Sequence, residues 1–142
     1  MLHIIPFKAL HVELLDDQEH NKPLRPFITA EDVRALEGPH AYTGVVDGRV
    51  VVCAGVEPMW QGRGYAWSYL SAGSGAHFVA IHKAVKRFLE IAPFVRIEAA
   101  VDCAFDQGHR WARLLGFHME AERMASYGPD GHDYALYAKV RQ

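Results

Sequence analysis

Tyr65-Ala-Trp-Ser-Tyr-Leu-Ser71-Ala-Gly73-Ser-Gly75-Ala-His77 runs directly into Phe78 to Ala92, and the reading of this stretch decides the fold. From Tyr65 to Ser71 the aromatic and apolar residues suit a pleated, largely buried strand. Gly73 and Gly75 allow backbone angles closed to other residues and leave room for another group to approach. Beyond them Phe78, Ile81, Val85, Phe88, Leu89 and Ala92 recur at helical spacing, while Lys83, Lys86, Arg87 and Glu90 fall on the other face. A glycine turn that feeds a helix N-terminus offers free N–H groups and the positive end of the helix dipole, which suits a phosphate. The plainer alternative is a tight strand-to-helix connection.

Working outward, the chain before this stretch holds a short strand from Leu2 to Ile5, closed by Pro6. A helical pattern follows over Phe7 to Leu15, with Phe7, Leu10, Val12, Leu14 and Leu15 as its apolar members. Asp16 to Phe27 is polar, carries Pro23 and Pro26, and reads as a loop or irregular lid. Thr29-Ala-Glu-Asp32 is a capping box with Asp in place of Glu, opening a short helix with Val33 and Leu36 that Gly38-Pro39 stops. Tyr42 to Val46 and Arg49 to Val56 are strands joined by Asp47-Gly48, the signature of a two-residue type I′ hairpin. Glu57-Pro58 ends the second of them, and Met59 to Gly64 is read as a turn into the central strand.

After the central helix, closed by Pro93, Val95 to Val101 reads as a strand. Asp106 is placed to cap a helix containing Trp111, Ala112, Leu114 and Leu115, with Gly116 at the C′ position. His118 to Tyr127 is a strand, Gly128-Pro-Asp-Gly131 a turn, and Tyr134 to Val140 a last alternating strand. The order is β-α-α-β-β-β-α-β-α-β-β, an α+β sheet with helices on its faces, in one domain spanning residues 1–142.

Composition narrows the function classes. Half of the 142 residues are hydrophobic and 23% are charged, ordinary values for a globular protein. A net charge of −2 argues against bulk nucleic-acid binding, and Lys83, Lys86 and Arg87 read as a solvated helix face. Cys53 and Cys103, the two cysteines, lie in or beside apolar runs and make neither a disulfide framework nor a zinc site. No apolar run approaches the about 18 residues that a membrane helix needs, and the N-terminus lacks the features of a signal peptide. The expectation is a soluble cytoplasmic protein with no membrane partner.

The element order, together with Leu114-Leu-Gly-Phe117 between a helix and a strand, resembles the GNAT family of N-acetyltransferases. The resemblance implies a mixed, mostly antiparallel three-layer sheet-and-helix fold with helices on both faces, and transfer of an acetyl group from acetyl-CoA to an amine. It makes acetyl-CoA the co-substrate and Ser71-Ala72-Gly73-Ser74-Gly75-Ala76 the equivalent of the family's pyrophosphate loop, shortened and without its Arg. Gln61-Gly-Arg-Gly64 has the family's loop composition but precedes the strand. The tyrosine that many members place five residues before the Phe of Leu-Gly-Phe is here Ala112. The chain also resembles small GNAT-like proteins encoded in phage genomes, some of them internal virion proteins. That likeness implies an alternative, a catalytically inactive structural or binding protein with virion partners. Homodimerisation, with the Tyr-rich last strand as an edge, is a further expectation from the family.

Acetyl transfer needs a polarised thioester carbonyl, a base for the ammonium and an acid for the leaving thiolate. Backbone N–H groups where the two central strands splay serve the first need, with Leu70 and Ser71 nearest the acetyl-pantetheine arm. Glu57 at a strand end is the candidate base, with Glu98 the weaker one, and Tyr69 and Tyr127 are candidate acids; each also fits a solvated or packing role. Arg110, Arg113 and Arg63 are candidates for the adenosine phosphates. His109 starts a helix, where its ring meets either the cofactor or, as a surface histidine, water; Trp60 and Trp67 read as core or cleft aromatics. The histidines show no ligand spacing, so no metal is expected.

Overall fold

The computed structural model describes residues 1–16 and 21–142. Its elements are β1 (His3–Pro6), α1 (Leu10–Glu13), a 3-10 turn (Lys22–Phe27), α2 (Ala30–Arg34), β2 (Ala41–Val46), β3 (Arg49–Trp60), β4 (Arg63–Leu70), a second 3-10 turn (Ser74–His77), α3 (Phe78–Ile91), β5 (Arg96–Asp102), α4 (Asp106–Leu114), β6 (His118–Met124) and β7 (Tyr134–Val140). This is the order expected from the sequence. The seven strands hydrogen-bond in the order β1-β2-β3-β4-β5-β7-β6, antiparallel in the registers of β1-β2, β2-β3, β5-β7 and β6-β7 and parallel between β4 and β5. A parallel pair needs a crossover, and α3 is the helix in that connection.

The chain divides into two compact units, residues 1–57 with 67–92, and residues 58–66 with 93–142. In the first, Asp47 and Gly48 take φ of 50° and 76°, the left-handed pair that a type I′ turn requires, and they set the β2-β3 register. Thr29 and Asp32 form the expected capping box, each side chain accepting from the other's backbone N–H. Phe7, Val12, Leu15, Val33, Ala41 and Cys53 form a buried cluster, and Trp67 packs edge-on against Phe7. The helix expected over Phe7 to Leu15 shrinks to the single turn Leu10–Glu13. Phe7 N–H is spent on Ala41 O, and Leu10 and Leu14 stay exposed.

β3 does not end at Glu57-Pro58; it runs on to Trp60. Pro58 is tolerated because the β2 register stops at Gly55, so its missing N–H costs no ladder bond there. The turn expected over Met59 to Gly64 is only Gln61-Gly62, with Gly62 at φ 89°.

In the second unit β5 pairs with β7 along its whole length, from Arg96–Val140 to Asp102–Tyr134. β7 therefore lies between β5 and β6 and is not the edge that the sequence suggested; β6 is. β6 is also shorter than expected, ending at Met124 after two irregular steps in its register. Gly116, at φ 93°, closes α4 as anticipated, but Asp106 does not cap it. Phe105 holds the N-cap position, its N–H turned back to Asp102 O, while Asp106 adds a favourable negative charge to the first turn. The β4-β5 register covers Arg63–Arg96, Gly64–Ile97 and Tyr65–Glu98.

Candidate functional site

In the first unit the candidate cofactor residues form one continuous feature. Leu70 ends β4, Ser71 and Ser74 are buried, and Ala72, Gly73, Gly75 and Ala76 are exposed around them. Ser71 N–H donates to Val51 O at 2.9 Å, Ala72 N–H to Asp16 O, Ser74 N–H to Ser71 O at 3.0 Å and Ala76 N–H to Gly73 O at 3.4 Å. Phe78 N–H closes on Gly75 O. The turn is thus fixed by backbone hydrogen bonds, two of them within it and two reaching Val51 and Asp16. The amides of Gly73 and Gly75 are the ones in it for which no acceptor is found among the described residues. A Cβ added at either glycine meets nothing within 4 Å, and Gly73 has φ −90°, so the space outside the turn, and not backbone angle, is what glycine provides at Gly73. α3 follows directly from the second 3-10 turn, with no side-chain cap at His77.

Glu57 is half-buried inside β3, near the end of the first unit's share of that strand. Tyr69 is partly buried against the Phe7 cluster, its ring 5.9 Å from Trp67, a packing role that competes with proton donation. Tyr127 and Arg110 belong to the second unit. Arg110 is exposed on α4, as is Arg113. Tyr127 is exposed, with its hydroxyl 3.3 Å from that of Tyr65 and its ring 5.5 Å from Tyr134. Burial, then the Tyr127 hydroxyl, pushes the Tyr65 phenol well above its ordinary pKa, so Tyr65 stays protonated. Tyr65 was not a candidate in the sequence, because its partner lies 62 residues away. Ala112, where many members of the resembled family carry an acidic tyrosine, is buried in α4.

Three sequence readings, of Arg63, Glu98 and His109, need correction. Arg63 is not a turn residue open to phosphate: it sits in β4, stacked 4.3 Å from the Trp60 ring centroid and bidentate to Glu98 through Nε at 2.6 Å and Nη2 at 2.9 Å. Glu98, 6% exposed, also accepts from Arg96 Nε at 2.7 Å, and Arg96 in turn grips Glu120. The Arg63 hydrogen bonds, then those of Arg96, hold the Glu98 carboxyl down to about 2 against the opposing effect of burial. A carboxylate held so low is a poor proton acceptor, which removes Glu98 as a base. His109 is not a free surface group. Its Nε2 faces the carbonyls of Asp102 and Cys103 at 3.1 and 3.2 Å, so the ring's proton belongs there and Nδ1 accepts from the Tyr137 hydroxyl at 2.7 Å. Trp60 is 63% exposed and packs no core, whereas Trp67 does.

Among the described residues the group able to hold a cation is Asp102, Asp130 and His132, whose ligand atoms lie within 4.8 Å of one another. Cys53 and Cys103 are free thiols, and burial pushes Cys53 up to about 11, which makes it inert.

The architecture defines a class. No family model matches the chain, and no curated protein matches it in sequence. Solved structures do match. Ard1 from Thermoplasma volcanium superposes with a TM-score of 0.79 at 14% identity, over 99% of this chain and 98% of that one. An N-acetyltransferase from Staphylococcus aureus gives 0.73 at 7% identity, over 99% and 97%. An acetyltransferase of the GNAT family from Bacillus anthracis gives 0.67 at 16% identity, over 98% and 94%. The chain therefore has the GNAT acetyltransferase fold along its full length. Among the described residues no helix is long and apolar enough to cross a membrane.

Proposed function

We propose that this protein is an N-acetyltransferase that moves the acetyl group of acetyl-CoA to an amine. The observation that carries the proposal is the open glycine turn at residues 71–76, placed before α3 in a chain whose fold matches acetyltransferases end to end. In this reading the Gly73 and Gly75 amides, just ahead of α3, receive the pyrophosphate, a use of backbone N–H groups that needs no arginine in the loop. Leu70 and Ser71 lie along the pantetheine arm, and Arg110 is offered to the adenosine phosphate. Glu57 is the proposed base for the incoming ammonium, and Tyr127 and Tyr69 are the candidate acids for the thiolate. With Glu98 locked in ion pairs and Ala112 unable to donate, these groups carry the proton transfers.

A second reading, a GNAT-fold binding or structural protein without catalysis, such as a virion component, draws on two observations. Most amides of the turn are already engaged internally, and Ala112 replaces the usual acid. Turnover separates the two: release of free thiol from acetyl-CoA in the presence of a panel of small amines and N-terminal peptides. Amine-dependent release that falls in Glu57→Gln supports the enzyme. Release no faster than with the amines alone, across the panel, favours the binding protein.

A further inference from the structure

We propose that Asp102, Asp130 and His132 form a binding site for a divalent transition-metal cation, with Zn2+ the best match. Asp102 ends β5, 30 residues before His132, while Asp130 and His132 share the 125–133 connection between β6 and β7, and the backbone brings that connection to the strand end. Cys103 N–H donates to Asp133 O at 3.0 Å, Gly128 N–H to His132 O at 3.0 Å, Gly131 N–H to Gly128 O at 2.9 Å and Ser126 N–H to Asp133 Oδ1 at 2.8 Å. The loop is therefore tied to the strand end without help from the His132 ring.

Each donor is also aimed. Asp102 is 6% exposed; its Oδ1 accepts from Ala104 N–H at 2.9 Å, which turns Oδ2 toward His132 Nδ1 at 2.8 Å. Asp130 Oδ1 accepts from His132 N–H at 3.1 Å, and its Oδ2 lies 3.3 Å from the same Nδ1. Metal–ligand bonds of about 2.0–2.1 Å in a tetrahedral site put neighbouring donors roughly 3.3 Å apart. The separations of Asp102 and Asp130 from the imidazole, 2.8 and 3.3 Å, lie at or under that edge, and all three ligand atoms lie within 4.8 Å of one another, so reorientation of the two carboxylates seats an ion.

Charge points the same way. Two carboxylates face a ring that supplies one positive charge at most, and a dication matches them while displacing a proton from Nδ1 to solvent. The neighbouring Asp133 is balanced separately by Arg123 at 3.3 Å. One imidazole nitrogen with two carboxylate oxygens suits Zn2+, whereas Ca2+ takes six or more oxygens and Mg2+ disfavours so close a nitrogen set. With the His132 side chain 56% exposed, the remaining coordination position opens to solvent, the form of a site that binds a further ligand.

The test uses the whole, tag-free protein stripped with a chelator and titrated calorimetrically with Zn2+, with Mg2+ and Ca2+ alongside. The expected result is one Zn2+ per chain at micromolar affinity or tighter, weakened at least about tenfold in Asp102→Asn and in His132→Ala. Asp130→Asn, in the turn 128–131, serves should Asp102→Asn fail to fold, and His118→Ala should bind as the unaltered protein does. Co2+ should give a visible absorption band that His132→Ala abolishes. No Zn2+ uptake at about 0.1 mM, or uptake that these substitutions leave unchanged, overturns the site.

Discussion

Residues 71–92 and residues 96–133 are built by opposite means. The first region is a backbone-fixed turn and a helix whose Ile81 and Leu89 are buried, with cations kept to the solvent side. The second is laced by charges that meet across long separations: Arg96 with Glu120, 24 residues apart, and Asp102 with His132, 30 apart, beside the Arg63–Glu98 pair at 35. A region held by periodicity and local hydrogen bonds announces itself in the sequence, and what it offers a ligand is main-chain N–H. Ion pairs between distant residues are silent until the chain folds, and what they offer is side-chain chemistry.

The sharpest way to break that contrast is to cut each region at its own support. Ile81→Ala should cost about 3 kcal/mol, read as a lower thermal midpoint, because it empties a fully enclosed site. The loss should be insensitive to salt and to pH. Glu98→Gln should cost about 2 kcal/mol at neutral pH, less than breaking a fully enclosed pair because Arg63 and Arg96 remain partly exposed. Its pH signature is specific. The folded carboxyl is depressed, so its stabilisation is complete above the ordinary carboxylate range near pH 4.5 and is lost as pH falls toward about 2. Denaturation at pH 7, 4 and 3 should therefore show the unaltered protein converging on Glu98→Gln; a constant gap would contradict the ion-pair account. Thr29→Ala should cost about 1 kcal/mol by removing one half of the capping box, a loss confined to the start of α2.

The same contrast explains what could be read in advance. Asp47-Gly48, Thr29 with Asp32, Gly116 and the Phe78 to Ala92 periodicity are local signals, and each appears in the fold with its expected geometry. Where a local rule misled, a longer-range fact decided. Pro58 did not stop β3 because the neighbouring ladder had already ended, and Asp106 did not cap α4 because the turn at Asp102 gave that position to Phe105. The candidate turn at 71–76 was visible as a run of glycines. Tyr65 beside Tyr127, the pinning of Glu98, the tautomer of His109 and the Asp102–Asp130–His132 cluster were not, since no spacing along the chain encodes them. The expected loop Asp16 to Phe27 falls partly outside the described residues; its later part is the 3-10 turn Lys22–Phe27, with Pro23 and Pro26 inside it.

The central claim, that the glycine turn receives acetyl-CoA, is tested most directly by calorimetric titration of the unaltered protein and of Gly75→Val side by side, with CoA and ATP as controls. A Cβ at Gly75 meets nothing in the protein, so the variant should melt within about 0.5 kcal/mol of its parent while obstructing the space a phosphate would fill. The account predicts micromolar binding of CoA species to the parent, about −8 kcal/mol, and none to a folded Gly75→Val. Equal affinity in both proteins, or no binding to either at millimolar concentration, would contradict it.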